Sequence, residues 1–193
     1  EKIKWNLIGQ NVKLEFLFND SFVEIFSDQD ISDILIWSNK ISNEYLLKKL
    51  DNLPINKIKD LLEYKKLSQE IIELILNKYN NDSQIYDLIS ENQNLPIEFI
   101  VNNLKRFDMS KILENQNLDI QFITSYVKNI KNISYNENLK EELLLDIYDI
   151  KDTFDDELDW DYISEFGNLS SLSLSTIKEL KKELLLENIN IKL

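Results

Sequence analysis

Carboxylates, lysines and tyrosines are the abundant side chains with which this sequence could do chemistry. It contains no Cys and no His, and Arg106 is its one arginine. Without imidazole or thiol, the usual nucleophile–base triads and zinc sites are excluded. Gly9 and Gly167 are the only glycines, and two isolated glycines cannot build a phosphate-cradling loop or a dinucleotide fingerprint. Carboxylates alone can hydrolyse glycosides or hold Mg²⁺. That chemistry needs a distinctive pairing of acids, and none stands out. The expectation is a protein that is not an enzyme, with no catalytic residues, no cofactor and no metal.

The densest chemical feature is acidic. Asp146, Asp149, Asp152, Asp155, Asp156, Glu157, Asp159 and Asp161 share one stretch with a single base, Lys151. A calcium loop started at Asp155 puts Glu157 and Asp159 at ligand positions. It also puts Trp160 where the sharp-turn glycine belongs and Phe166 where the closing glutamate belongs, so the spacing fails. Two readings remain. On a continuous helix Leu143, Ile147, Ile150 and Phe154 stack on one side and Asp146, Asp149, Asp152 and Asp156 on the other, which is ordinary amphipathic design. The sharper reading makes the eight acids candidate partner-binding residues for a basic surface, because Asp149 and Asp152 lack nearby cations and repel each other.

The elements that position these acids are legible as a repeat. Asn92-Gln93-Asn94-Leu95-Pro96-Ile97-Glu98-Phe99-Ile100 is followed by Asn115-Gln116-Asn117-Leu118-Asp119-Ile120-Gln121-Phe122-Ile123. With Leu95 and Leu118 as pivots, the same frame falls on Val12, Ile41, Leu67, Leu139 and Leu169, about 21 to 30 residues apart. Six residues before the pivot stand Leu35, Leu61, Ile89, Ile112, Ile133 and Ile163; three after it stand Glu15, Glu44, Glu70, Glu98, Gln121 and Glu142. Apolar pairs such as Ile71-Ile72 and Phe122-Ile123 follow. Ser42, Ser68, Pro96, Asp119 and Ser170 come directly after the pivot and are helix-start residues. An acid in the first turn suits the positive end of the helix dipole. Each unit is therefore a short helix, an Asn-rich turn and a second helix of roughly ten residues, too small to stand alone. In the fourth unit Ile97, Ile100, Val101 and Leu104 form the expected apolar face, and the Asn-rich turns suit a residue that tolerates left-handed backbone.

The fold class expected is all-α, a helical-repeat solenoid of about seven helix-turn-helix units in a single domain over 1–193. One segment fits two structures. Residues 12–26 also match a β-hairpin, with Asn19-Asp20-Ser21 as its turn, although the repeat frame and the spacing of Leu14, Phe18, Phe22 and Ile25 favour helix. Trp5, Trp37 and Trp160 lie in the first-helix part of their units, where core packing is the expectation.

The unit resembles a divergent helical repeat of proteins from AT-rich large DNA viruses and bacteriophages. The match rests on Leu158-Asp159-Trp160-Asp161-Tyr162-Ile163-Ser164 and on Asn92 to Ile100, where Pro96 replaces the family's serine. It spans the chain, but the fourth, fifth and seventh units carry it, and the seventh has Leu172-Ser173 in place of the Glu-Phe pair. The resemblance implies a viral or phage origin and a binding role. It brings no catalytic or ligand residues.

With 22 basic against 35 acidic residues the net charge is −13, which repels phosphate backbones and argues against direct nucleic-acid binding. No apolar run nears the ~20 residues of a membrane span, and no stretch reads as a signal peptide. A cytoplasmic protein is expected, in the host cytoplasm if viral. Its start at Glu1 without Met suggests a trimmed upstream piece. Three functions fit: a protein–protein interaction scaffold whose partner has a basic surface, an acidic nucleic-acid mimic that inhibits a host enzyme, or a structural assembly subunit.

Overall fold

A computed structural model describes Ile34, Ile36, residues 43–159, Tyr162 and Ile163. The hairpin alternative at 12–26, the three tryptophans and Asp161 lie outside the described residues. The described chain is helical and contains no strand. Two compact units divide the sequence, Glu1–Gln93 and Asn94–Leu193.

The first unit holds α1 (Asn43–Leu50), α2 (Ile55–Tyr64), α3 (Gln69–Lys78) and α4 (Ser83–Asn92). Helix α2 packs on α4, α1 on α3, and α3 on α4. First helices therefore meet first helices and second helices meet second helices, the contact pattern of a stacked repeat. The second unit holds α5 (Ile97–Asn103), α6 (Met109–Asn115), α7 (Ile120–Tyr126), a 3₁₀ helix η1 (Lys131–Tyr135), α8 (Glu141–Asp149) and a 3₁₀ turn η2 (Lys151–Thr153). The same pairing recurs there, α6 with η1 and α7 with α8. The fold is an all-α helical repeat.

The pivot frame marks these elements closely. Helices α1, α3, α5, α7 and α8 each begin two residues after their pivot. Leu61, Ile89, Ile112, Ile133 and Ile163, six residues before it, are at most 1% exposed. Burying each contributes about 1.5–3 kcal/mol. The face of α5 differs from expectation. Ile100 is buried as expected, but Phe99 is its buried neighbour, while Ile97, Val101 and Leu104 are half-buried.

Capping follows the sequence in part. Asp119 accepts the Phe122 N–H at 2.7 Å, as its place after the pivot implies. Ser68 sits at the N-cap of α3 but makes no cap bond, and its hydroxyl is buried without a partner. The first helices α4 and α6 start on aspartates that the frame did not single out. Asp82 accepts the Gln84 and Ile85 N–H groups at 3.0 and 3.3 Å, and Asp108 accepts that of Ser110 at 2.9 Å.

The Asn-rich turns work differently from the left-handed role expected of them. Among the described residues none has positive φ. Instead Asn92 and Asn115 bond back to the carbonyls of Leu88 and Lys111, and the glutamine between the asparagines is buried. Gln93, the C-cap of α4, reaches the end of α2, the equivalent helix one repeat earlier. Its amide nitrogen donates to the Leu62 and Lys65 carbonyls at 2.6 and 2.8 Å, and its Oε1 accepts the N–H of the pivot Leu67 at 2.8 Å. In the second unit Gln116, the C-cap of α6, accepts the N–H of the pivot Leu95 at 2.9 Å. Asn136, the C-cap of η1, donates to the Leu113 and Gln116 carbonyls at 2.7 and 2.8 Å. Each amide satisfies backbone groups that a helix end leaves open, so neighbouring repeats are held in register by side chain to main chain bonds.

Candidate docking surface

The acidic segment is not one helical face. Helix α8 stops at Asp149, η2 follows, and Phe154 turns the chain extended at φ −100°, ψ 157°. Leu144 and Ile147 are the buried residues of α8, while Leu143, Ile150 and Phe154 are half-buried. The stripe expected from Leu143 to Phe154 breaks because helix geometry ends before it completes.

This break divides the eight acids. Asp146 and Asp149 project from α8, Asp152 from η2, and Asp155 and Glu157 from the extended stretch; all five are exposed. None of these five carboxylates forms an ion pair or hydrogen bond among the described residues. Lys151, the one cation of the stretch, lies 4.6 Å from the Tyr148 ring centroid. Like charges three apart on a helix, as at Asp146 and Asp149, repel by a few tenths of a kcal/mol.

Two other acids face inward. The Asp156 carboxylate accepts the Ile130 N–H and, at 3.3 Å, that of Lys131, capping the approach to η1. Asp159 Oδ2 accepts the Tyr135 hydroxyl at 2.9 Å and Oδ1 the Tyr162 N–H at 3.0 Å. The Tyr162 amide and the Tyr135 hydroxyl hold the Asp159 carboxyl below its ordinary value. The same bond pushes the Tyr135 phenol up. Tyr162 stands edge-on to Tyr135, with centroids 4.7 Å apart. Asp159 lies four residues before Ile163 as Asp108 lies four before Ile112, so the repeat frame carried the signal that it is an N-cap.

Elsewhere the surface of the described residues offers little chemistry. A shallow, open depression is lined by Lys78, Tyr79, Asn80, Asn81, Asp82 and Ser83. Lys78 there pairs with Asp51 and Asp82 with Lys59, so these charges are already engaged. No helix among the described residues is long and apolar enough to cross a membrane, and no group of three or more carboxylates there is arranged to hold a metal ion. The chain matches no protein-family model, no curated protein and no solved structure.

Proposed function

We propose that the protein is a non-catalytic scaffold that holds another protein, one with a basic surface, in the cytoplasm. The observation that carries this reading is the set of five exposed carboxylates, Asp146, Asp149, Asp152, Asp155 and Glu157, none in an ion pair among the described residues. Asp146 and Asp149 are presented on α8 and the other three on a stretch tied down through Asp155 and Asp156. Holding the charges together lowers the ordering cost of binding, and their negative field speeds encounter with a cationic partner. Relief of the mutual repulsion favours the complex further.

A second reading draws on the same five charges: they stand where an enzyme that binds nucleic acid expects phosphates, as the virus-like resemblance of the repeat would suit. It predicts competition by DNA or RNA and a steep loss of binding with salt.

The test is a pull-down from source or host lysate, nuclease-treated. It compares the native chain with Asp146→Asn, Asp149→Asn, Asp152→Asn, Asp155→Asn and Glu157→Gln combined. Asp156 and Asp159 stay untouched because their carboxylates hold the fold. Capture by the native chain that the still-folded variant loses supports the docking reading, and displacement by DNA moves mimicry ahead. Capture of the same partner by both proteins overturns it and makes the acids a solvated face.

A further inference from the structure

The stretch that follows α8 is tied down and self-repelling at once. It is tied to residues 128–134, the loop before η1 and η1 itself. The Asp155 N–H donates to the Lys128 carbonyl at 2.8 Å, Asp156 accepts from Ile130 and Lys131, and the Asp159 N–H donates to Ser134 Oγ at 2.8 Å. Leu158 is the one fully buried side chain between residues 150 and 159, with Phe154 half-buried. Asp152, Asp155 and Glu157 surround these ties, exposed.

Beneath the strap lies the least complete of the described seams. The first helix of this unit has contracted to the 3₁₀ helix η1, a geometry with poorer hydrogen bonds. Asn136 is one methylene shorter than Gln93. Its nitrogen still reaches the two helix-end carbonyls, but its Oδ1 accepts the N–H of Asn138 at 2.8 Å in its own turn. Gln93 and Gln116 instead use that oxygen on the pivot N–H of the preceding unit, Leu67 and Leu95. The start of η1 has Ile130 at its N-cap and no cap bond from it, so Asp156 of the strap supplies what Asp82 and Asp108 supply to α4 and α6.

We propose that residues 150–159 form a strap that opens and closes over residues 128–136 as one piece, separately from the helical core, and that cations hold it closed. Few apolar contacts and many hydrogen bonds near solvent are the features of a segment that opens locally. Closure fixes Asp152, Asp155 and Glu157 beside Asp156 and Asp159; opening lets those charges spread. Counter-ions or a lysine-rich segment reduce that repulsion more in the closed form than in the open one, while the part-buried Asp156 bonds are screened less. The inference rests on the Asp156 and Asp159 bonds and stands whether or not a protein docks on the outer face.

Amide hydrogen exchange tests it. Ile130 and Lys131 report the strap, Ile72 and Ile123, bonded to the Ser68 and Asp119 carbonyls, report the core, and Ile85, capped by the lysine-paired Asp82, serves as control. At low ionic strength Ile130 and Lys131 exchange well ahead of Ile72 and Ile123. Addition of 0.5 M NaCl, or of an oligolysine peptide at low salt, slows them roughly three- to ten-fold and leaves Ile85 within about two-fold. Asp156→Ala raises exchange at both by about ten-fold or more, as loss of a charged acceptor implies. Exchange of Ile130 and Lys131 in step with the core, or a rate indifferent to both salt and oligolysine, overturns the proposal. Those two measurements use the native chain, so they decide the matter even if the alanine variant does not fold.

Discussion

Replacing Gln93 with Ala tests the idea that buried amides hold the repeats together. The side chain belongs to a residue 1% exposed and makes three bonds, to the Leu62 and Lys65 carbonyls and the Leu67 N–H. Each neutral hydrogen bond contributes about 1 kcal/mol net, and each buried group left open costs about 1–3 kcal/mol. The polar space vacated by the amide has room for a water that restores part of this. The expected loss is therefore about 3 kcal/mol, with 2–5 kcal/mol as the working range. For a chain of 193 residues that is a fall of roughly 6–12 °C in Tm. Urea titration gives the global figure, and hydrogen exchange at the Leu67 amide gives the local one, which matters because repeat proteins can unfold in sections. Gln84→Ala is the control: Gln84 is exposed, bonds only to Lys59 through its side chain, and its loss stays within about 0.5 kcal/mol.

Gln93→Glu sharpens the test because it has a pH signature. A carboxylate there can accept the Leu67 N–H but faces two carbonyl oxygens in a buried site, so its folded pKa is raised above the unfolded ~4.3. A raised pKa means the variant is least impaired below the unfolded value and loses stability as pH rises through the folded one. Two results would refute the reasoning: Gln93→Ala costing no more than Gln84→Ala, or Gln93→Glu tracking the native protein at every pH.

The remaining predictions concern charge. Asp82→Asn keeps an oxygen for the cap but removes the charge that faces Lys59 and the start of α4, costing about 0.3–1 kcal/mol at neutral pH in thermal melts. The Lys59 bond and then the charge and N–H contacts hold Asp82 below its ordinary value, so the native advantage is present above the unfolded value and disappears as pH falls through the folded one. Lys65 occupies the C-cap of α2, where Gln93 and Gln116 stand in α4 and α6, and burial pushes its ammonium down. The unfolded chain then binds more protons between the lowered value and 10.5, so stability gains with pH across that window; Lys65→Gln removes this slope in urea titrations at pH 8 and 10. The five-fold neutralised variant melts higher than the native protein in low salt and level with it in 0.5 M NaCl, because only self-repulsion has been removed. An equal difference at both salts would place the effect in packing.

Much of the architecture was legible because it depends on local periodicity. Five helix starts and the burial of Leu61, Ile89, Ile112, Ile133 and Ile163, each six before a pivot, follow from apolar spacing and start residues, which act over a single turn. What the sequence concealed is long-range or geometrical. The repeated Asn-Gln-Asn at 92–94 and 115–117 was visible, but a polar triplet in a turn does not announce that its middle residue is buried and bonded 21 to 31 positions back. The acidic stretch was misleading for a related reason. A helical wheel puts Asp152 and Asp156 on one face with Asp146, but the wheel cannot register that α8 ends at Asp149. Past that point each carboxylate is placed by the loop it meets, so neighbouring acids take opposite roles, Asp155 outward and Asp156 inward.

This division bears on how such a repeat can vary in sequence while keeping its fold. A helix pair slipped by one residue would draw each amide away from the helix-end carbonyls it serves and leave buried polar groups open, a penalty that apolar contacts alone do not impose with the same sharpness. Register is thus specified by a few side chains, Gln93, Gln116 and Asn136, together with the deepest apolar positions. The outer faces of the helices are left with little structural duty. At the third residue past the pivot the chain tolerates Glu70, Glu98, Gln121 and Glu142, all exposed. Recognition can therefore diverge on the surface without disturbing the stack, and the acidic segment at 146–157 is the place where this chain has concentrated its own charge.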